Sequence, residues 1–325
     1  MKYLNHNLLT LHAALAFTTK CLCVFLSITI ADAHADPDPA RLSSAGISAM
    51  HYATNDKNRS SGFDADLEVP VTSYDLLAKA MVRYADDPQG QVNMESFLAG
   101  ARHNISKNIN IGLGAGAAIF KNIEYPTFMT NLKFNNNLFK TQTMIERSPL
   151  YQTAAIIRNE IMFYGMDSKL GVHIADRFEP KAEASLRSYS DNNASYRIRG
   201  DLPIKLLSEP VKITIGYRQE HTAFRRQSGS GYFDPSSLTS YQGVMTLSGA
   251  IKLFSFHAEI FGGTQHVDRY GAFTKNGFAG VYTYARVDGV GPFAIIVDAE
   301  ASDYALSSVS GFSYMQGSLR VETSW

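Results

Sequence analysis

The chain has 325 residues, and its 30 Lys and Arg balance 30 Asp and Glu, so the formal net charge at neutral pH is zero. This balance argues against a nucleic-acid-binding protein, which carries a basic surface. Hydrophobic residues make up 45% of the chain and aromatic residues 11%, which argues against disorder. A mean hydropathy of −0.13 argues against a bundle of membrane-spanning helices. Composition leaves a membrane β-barrel open, because polar and apolar residues alternate along its strands.

The N-terminal segment has the organisation of a secretory signal peptide. Two lysines supply positive charge, and an apolar run occupies residues 21–30. Ala33 and Ala35 then offer small residues at which signal peptidase cleaves. A run of about ten apolar residues is too short to cross roughly 30 Å of hydrocarbon as a helix. We therefore predict a cleaved signal peptide over residues 1–35, followed by a short periplasmic segment over residues 36–43.

The export prediction removes both cysteines, Cys21 and Cys23, with the signal peptide. The exported chain then has no disulfide, no thiolate metal site and no Cys nucleophile. The sequence also contains no zinc-protease, serine-hydrolase or P-loop motif. We expect no cofactor, no bound metal and no enzymatic activity. His221 and His266 lie near predicted outer strand ends and leave a hydrolase at the rim as an alternative.

From Ser44 onward, apolar and polar residues alternate with a period of two. Between Val211 and Arg218, for example, Val, Ile, Ile and Tyr alternate with Lys, Thr, Gly and Arg. This period describes strands with two unlike faces. The segments often run for ten to twelve residues, which matches a tilted transmembrane strand and exceeds the usual globular strand. We predict an all-β, transmembrane, antiparallel up-and-down β-barrel over residues 44–325. A soluble β-sandwich is the alternative.

The connections between the predicted strands support a barrel with about 16 strands. Over the C-terminal part, long and short connections alternate, as outer loops and periplasmic turns do in bacterial barrels. The predicted long connections are 222–240, 265–276 and 302–310, and the short ones are 207–210, 253–254 and 288–289. Near the N-terminus, 55–60 and 86–90 are predicted to lie outside, and 74–75 and 106–108 on the periplasmic side. The two counts disagree between Thr127 and Glu179 and give an odd total of about seventeen. Bacterial barrels have even numbers of strands, so we predict 16, with 14 as the alternative.

The last predicted strand carries a distinctive terminus. In residues 315–325, Leu319, Val321 and the terminal Trp325 share one face, and polar residues occupy the other. An amphipathic last strand ending on an aromatic residue resembles the insertion signal of outer-membrane proteins. The resemblance implies that the barrel-assembly machinery recognises this strand. It also implies outer-membrane lipid and lipopolysaccharide as surroundings.

If the apolar faces point toward lipid, the opposite faces line a lumen. The predicted lumen residues are Asp64, Asp66, Glu68, Arg187, Arg197, Arg199, Lys212, Arg218, Glu259, Arg286, Asp298, Glu300, Arg320 and Glu322. About sixteen strands enclose a lumen wide enough for water. Acids and bases facing one another across that water would suit a neutral or weakly charged solute. We predict a porin-like channel. A closed structural or adhesive barrel, with the outer loops as its functional surface, is the alternative.

The longest predicted loop contains the string Ser-Gly-Ser-Gly-Tyr-Phe-Asp-Pro, residues 228–235. Its glycines predict mobility, Tyr232 and Phe233 offer stacking surface, and Asp234-Pro235 predicts a turn. From about residue 224 to the C-terminus the sequence resembles the C-terminal barrel of exopolysaccharide-export porins, the family that exports cellulose and poly-N-acetylglucosamine. The resemblance implies polysaccharide passage.

That family usually carries an N-terminal array of helical repeats, and no such period is visible in this sequence. The resemblance therefore also implies a periplasmic scaffold on a separate chain and an inner-membrane polysaccharide synthase as partners. No nucleic-acid partner is expected.

Overall fold

The computed structural model describes residues 42–54, 58–71, 74–121, 123–304 and 313–325. The predicted signal peptide and residues 36–41 lie outside the described residues. The described part of the chain forms sixteen strands and one short helix. The elements are β1 (Ser44–Thr54), β2 (Arg59–Val71), β3 (Tyr74–Asp87), β4 (Gly90–Ser106), β5 (Ile109–Phe120), β6 (Ile123–Asn135), β7 (Phe139–Pro149), α1 (Ala154–Arg158), β8 (Met162–Val172), β9 (Lys181–Tyr189), β10 (Ala194–Leu207), β11 (Val211–Phe224), β12 (Ser237–Ile251), β13 (Phe254–Asp268), β14 (Phe273–Val290), β15 (Phe293–Ser302) and β16 (Tyr314–Ser324).

The strands form one closed barrel in which each strand pairs antiparallel with its neighbours in sequence. The first and last strands close it, with a register that runs from Ser44 opposite Ser324 to Thr54 opposite Tyr314. The predicted all-β, up-and-down barrel of sixteen strands is confirmed. Among the described residues, no helix has the length and apolar character needed to span a bilayer.

The two ends of the barrel differ in what they hold. At one end, which we call the terminal end, the backbone N–H of Ser43 donates to the carbonyl of Trp325 over 2.9 Å, and that of Trp325 donates back over 3.0 Å. The opposite end, which we call the loop end, holds the connection that contains α1 and the long connection between β11 and β12. Because the strands alternate in direction, every second connection lies at each end.

The strands are longer than those of most globular proteins. Their lengths range from 9 residues in β9 to 18 residues in β14. Two predicted turns are displaced. The prediction of a turn at residues 74–75 is wrong, because β3 already begins at Tyr74. The prediction at residues 288–289 is wrong as well, because β14 continues to Val290. Gly289 has a φ of +76°, and the register with β15 shifts between Val287 and Val290. The Asp-Gly pair therefore forms a β-bulge inside the strand instead of a hairpin turn.

The middle of the chain explains why the two strand counts disagree. At the loop end, the connection between β5 and β6 is only residues 121–122, whereas at the terminal end the connection between β8 and β9 is the eight residues 173–180. The rule of long loops at one end and short turns at the other therefore fails for this third of the barrel. The connection between β7 and β8 also contains α1, an apolar string that enters no strand.

Candidate functional site

The outer face of the barrel wall carries large apolar side chains with little cover. On β11, Ile215 and Tyr217 expose 41% and 44% of their surface, and Ile198 on β10 exposes 58%. Equivalent exposed residues on other strands are Ile47, Phe63, Phe97, Leu113, Ile145, Leu186, Ile260 and Val297. A continuous apolar surface of this extent is unfavourable in water. It has the character of the lipid-facing band of a membrane barrel.

The inner face carries the charged residues that alternate with this band. The strand registers place all the residues predicted for the lumen on this face: Asp64, Asp66, Glu68, Arg187, Arg197, Arg199, Lys212, Arg218, Glu259, Arg286, Asp298, Glu300, Arg320 and Glu322. Most of them form ion pairs with residues on nearby strands. From the sequence, acids and bases are expected to face one another across the lumen. The pairs form along the wall instead, because neighbouring strands lie only about 4.8 Å apart.

One such ion pair crosses the seam that closes the barrel. Arg320 on β16 reaches over β1 and forms a bidentate pair with Asp66 on β2, at 2.5 and 2.8 Å. Arg320 also approaches Glu322 at 3.3 Å. The guanidinium passes over Gly46, where any Cβ would collide with it. Glycine at this position therefore lets one side chain connect β16 with β2.

A second network lies on β10 to β13. Arg218 pairs with Asp201 at 2.6 Å and reaches over β12 to Glu259 at 2.7 Å. Arg199 also pairs with Asp201, at 2.8 Å. Only 11% of the Arg218 side chain is exposed, so its charge depends on these two carboxylates for compensation. Arg286 likewise joins β14 to β16 through Glu322, at 3.3 Å.

Four other predicted lumen residues have weaker or uncharged partners. Arg187 lies 3.7 Å from Asp167, and Arg197 lies 3.9 Å from Glu183. Glu300 accepts hydrogen bonds from the Tyr314 hydroxyl at 2.5 Å and from Gln316 at 2.8 Å. Asp298 accepts a hydrogen bond from Ser318.

The wall formed by β14 to β16 also carries tyrosines beside these carboxylates. Tyr282 stands opposite Glu300, and Tyr284 stands opposite Asp298. Tyr52 on β1 lies 6.1 Å, between ring centroids, from Tyr314 on β16. Within the described residues, this wall therefore combines carboxylates with several aromatic rings.

Sequence reasoning missed an ion-paired cluster on β2 to β4. Arg83 is 2% exposed, pairs with Asp64 at 2.7 Å and lies over the ring of Tyr151 at 5.0 Å. Arg102 pairs with Asp75 at 2.9 Å and contacts Glu68. The alternation of β3 is blurred, because the inward positions of that strand include Met81 and Ala85, which are buried in an apolar cluster. Only the register with β2 reveals Arg83 as an inward residue.

The connection between β7 and β8, residues 150–161, folds into the loop end and is called the helical loop below. Its helix α1 begins after Thr153, whose side-chain oxygen accepts a hydrogen bond from the N–H of Ile156. Ile157 is 1% exposed and packs with Met94 and Phe120 from the inner face of the barrel. Arg158 forms a bidentate ion pair with Asp87 at 2.9 and 3.0 Å. Apolar burial on one side and this ion pair on the other hold the helical loop against β3 to β5.

The connection between β11 and β12, residues 225–236, is called the Gly/Ser loop below. Its Asp234 accepts hydrogen bonds from the N–H of Ser228 at 2.5 Å and from the Ser228 hydroxyl at 2.8 Å. The Tyr232 ring stacks on Tyr189 with 4.9 Å between ring centroids. Phe233 packs against the buried pair of Leu238 and Val267. Burial raises the pKa of the Tyr232 hydroxyl well above its ordinary value.

Tyr232 and Phe233, predicted to offer stacking surface, thus pack against other side chains of this protein at the loop end. Asp234 lies next to Pro235, and both are buried. The string predicted to be mobile is held by its own hydrogen bonds.

Asp191, between β9 and β10, connects the Gly/Ser loop to the wall. Its carboxylate accepts hydrogen bonds from Ser230 at 2.7 Å and from the Tyr232 hydroxyl at 2.8 Å. Burial acts to raise the pKa of Asp191, but these hydrogen bonds outweigh it, and the pKa is lowered. The ionised form of Asp191 therefore favours the docked Gly/Ser loop.

The helical loop and the Gly/Ser loop contact each other. The Thr153 hydroxyl donates to the carbonyl of Gly231 over 3.1 Å, and the Asn159 amide donates to the carbonyl of Ser230 over 3.2 Å. Gly231 has a φ of +96°, and any Cβ on it would collide with Ala155. Together these two connections, which we call the loop plug, lie side by side and narrow the loop end.

Tyr304, which follows β15, also points into the loop end. Its hydroxyl donates to Glu220 over 3.3 Å, and its ring lies edge-on to Phe278 with 4.9 Å between ring centroids. Burial raises the pKa of the Tyr304 hydroxyl well above its ordinary value. Residues 305–312 of this connection, which include most of the loop predicted at 302–310, lie outside the described residues.

A cavity of about 460 Å³ lies inside the barrel below the helical loop. It is lined by Tyr151 and Gln152 from that loop, by Asp66 on β2 and by Arg187 on β9. Since β2 and β9 stand on nearly opposite sides of a sixteen-strand barrel, this space extends across the lumen.

The residues of the predicted insertion signal lie on the outer face. Leu319 exposes 51%, Val321 41% and Trp325 53% of its surface. The recognition of this strand by assembly machinery stays a prediction.

The histidines predicted near the rim have structural contacts. The His221 ring lies 2.8 Å from the Thr239 hydroxyl and 3.1 Å from the Tyr196 hydroxyl. His266 packs edge-on against Tyr241 and Phe273 on the outer face. Over the described ranges, no group of three or more His, Cys, Asp or Glu residues is placed to hold a metal ion.

Comparisons by sequence and by structure give different results. No protein-family model matches the sequence, and no curated protein matches it either. By structure, the chain is similar to a bacterial polysaccharide outer membrane secretin, with a TM-score of 0.73 and 11% identity. The match covers 89% of this chain and 100% of that one. CdiB from Acinetobacter baumannii gives a TM-score of 0.51 at 7% identity, over 88% of this chain and 60% of CdiB.

These likenesses concern the fold, because the identities are low. The closed antiparallel barrel of this chain has the architecture of bacterial outer-membrane barrels, over the whole length of the polysaccharide secretin structure.

Proposed function

We propose that this protein is a porin-like channel of the bacterial outer membrane, through which a hydrated polysaccharide passes without a bound cofactor. One observation carries the channel proposal: the same closed wall exposes apolar side chains such as Phe97 and Ile198 outward and directs ion-paired residues such as Arg218 inward. A wall with this polarity separates lipid from a hydrated interior.

The polysaccharide part of the proposal rests on two supports. The structure with a TM-score of 0.73, which this barrel matches over its full length, is a bacterial polysaccharide outer membrane secretin. The inner wall also pairs tyrosine rings with carboxylates, as in Tyr314 with Glu300 and Tyr282 opposite Glu300. Sugar rings present hydroxyl groups to carboxylates and C–H faces to aromatic rings. A stripe of this composition suits a hydrated sugar chain.

The loop plug is the element that has to move for a chain to pass. It is held at the loop end by Ile157 of the helical loop and by Tyr232 of the Gly/Ser loop. Both loops join neighbouring strands and are held by side-chain contacts at the loop end. We propose that they undock together, since Thr153 and Asn159 of one loop donate hydrogen bonds to the backbone of the other.

The proposal includes the route by which the protein reaches its membrane. A signal peptide cleaved after Ala33 or Ala35 would direct export, and the outward Leu319, Val321 and Trp325 would engage the barrel-assembly machinery. Outer-membrane lipid and lipopolysaccharide would then surround the apolar band. A periplasmic scaffold and an inner-membrane synthase would supply the polysaccharide at the terminal end.

Planar-bilayer recording on the refolded protein tests the channel proposal. We expect discrete conductance steps, with long closed periods that reflect the loop plug. The inward-folded loops also favour a second candidate, a permanently closed barrel whose loop surface binds partners. The absence of any step, both in the wild type and in a variant that lacks residues 228–235, would support that candidate and refute the channel.

A further inference from the structure

A second cavity, of about 440 Å³, lies on the inner wall at the terminal end. Six Lys and Arg residues line it, and besides the ion-paired Arg199 and Arg218 these are Arg177, Lys181, Lys205 and Lys212, from three strands and one connection. The N–H of Lys205 donates to the carbonyl of Arg177 over 2.8 Å, so the connection between β8 and β9 continues along the edge of β10. This backbone contact brings Arg177 to the same cavity as the three lysines.

Five carboxylates line this cavity, and all but the fully exposed Asp176, which lies beside His173, have cationic partners. The pairs are Asp201 with Arg199 and Arg218, Glu259 with Arg218, Glu179 with Lys140, and Glu183 with Lys169 and Arg197. Their N–O distances run from 2.6 Å for Asp201 with Arg218 to 3.9 Å for Glu183 with Arg197. Little acidic charge is therefore left to balance further cations.

The four basic residues carry positive charge that no nearby carboxylate balances. Among the described residues, Arg177, Lys181, Lys205 and Lys212 have no carboxylate within 4.0 Å. Three of them are exposed and Lys205 is half-buried. Like charges gathered in a cleft with protein walls focus the potential and attract ions of opposite sign. The cavity is therefore an electropositive region in a lumen whose other charges are mostly paired.

The surplus charges extend along the wall. Lys181 stands opposite Asp201, and Lys205 lies four residues further along β10. At about 3.3 Å per residue, these two positions are about 13 Å apart along the strand. A chain with repeated negative groups can contact both positions at once.

We infer that this cavity binds the anionic groups of an acidic polysaccharide, such as the carboxylates of a uronic acid chain. An acidic polysaccharide would then be the substrate class of the channel, and this part of the inference rests on the proposed function. The anion site itself depends only on the charges and the cavity. It provides an electropositive entrance at the terminal end, opposite the loop plug.

The test measures binding of a galacturonic acid oligomer to the refolded, detergent-solubilised protein by titration calorimetry. The test variant combines Lys181→Gln, Lys205→Gln and Lys212→Gln. Each solvated ion pair accounts for a factor of about 1.5 to 5 in affinity. We therefore expect the Kd of the oligomer to rise about tenfold in the triple variant.

The matched control combines Lys107→Gln, Lys252→Gln and Lys275→Gln. These three lysines are exposed and lie outside the cavity, in two turns at the terminal end and on the outer face of β14. The control removes the same net charge and should leave the Kd unchanged. A neutral dextran of equal length should bind the wild type much more weakly than the acidic oligomer.

The inference is overturned if dextran and the acidic oligomer bind equally, if both triple variants bind alike, or if monomeric galacturonate binds as tightly as the oligomer. If the test variant fails to refold, two measurements replace it: binding to the Lys212→Gln single variant, and binding to the wild type in 50 and 500 mM salt. A Kd that does not change with salt would contradict the anion site. Charge-dependent binding without conductance would refute the channel proposal and support the anion site. Conductance without charge-dependent binding would support the channel proposal and refute the anion site.

Discussion

The apolar anchor of the helical loop gives the sharpest prediction about gating. Ile156 and Ile157 are each 1% exposed, and they pack into two different apolar clusters, one around Phe163 and one around Phe120. Replacing a buried Ile by Ala costs about 2 to 5 kcal/mol. We use about 2 to 3 kcal/mol for Ile157→Ala, because a loop can partly collapse into the space. This loss acts on docking of the loop, and the hydrogen-bonded barrel wall keeps its strands.

A change of about 2 to 3 kcal/mol corresponds to a shift of about 30- to 150-fold in the equilibrium between docked and undocked loop. Planar-bilayer recording should show this shift as a rise in the ratio of open to closed time. Ile198→Ala is the matched control, because Ile198 is 58% exposed on the outer face. Equal open times in wild type, Ile157→Ala and Ile198→Ala, in protein shown to be folded, would refute the gating role of the helical loop.

Three further predictions concern the loop end, the seam and the C-terminus. Because the pKa of Asp191 is lowered in the folded protein, its hold on the Gly/Ser loop is present above the ordinary carboxyl pKa of about 4 and is lost as the pH falls through the lowered value. Open time should rise only in strongly acidic solution, and a rise between pH 8 and 6 would contradict this. Arg320→Gln removes the bridge to Asp66 and should lower the free energy of unfolding by about 1 kcal/mol in urea, and an unchanged midpoint would contradict the bridge. Deleting Trp325 should slow insertion into lipid vesicles that contain the barrel-assembly machinery, as seen by gel mobility, whereas Ser324→Ala should insert at the wild-type rate.

The fold and the two faces of its wall follow from local pattern. In residues 211–218, the period of two alone assigns Lys212 and Arg218 to one face and Ile213 and Ile215 to the other. Such an assignment requires no knowledge of neighbouring strands, because successive side chains in any strand alternate. The inner-face positions of all the predicted lumen residues follow from this rule.

The partners of those residues and the fold of the loops do not follow from local pattern. The contact of Thr153 with Gly231 joins residues far apart in sequence, and so does the pair of Arg158 with Asp87. The bulge at Gly289 depends on the register of β14 with β15, and the local Asp-Gly sequence does not determine that register. Long-range register and packing therefore decide the plug, the ion pairs and the cavities.

Passage of a polysaccharide through this barrel can be measured as transport across proteoliposome membranes. Vesicles would be loaded with a fluorescent acidic oligosaccharide, and its efflux would be followed with and without the protein. We expect slow efflux through the wild type and much faster efflux through Ile157→Ala, with no efflux from protein-free vesicles. Retention of the oligosaccharide by vesicles that carry folded Ile157→Ala protein would show that the barrel does not conduct it.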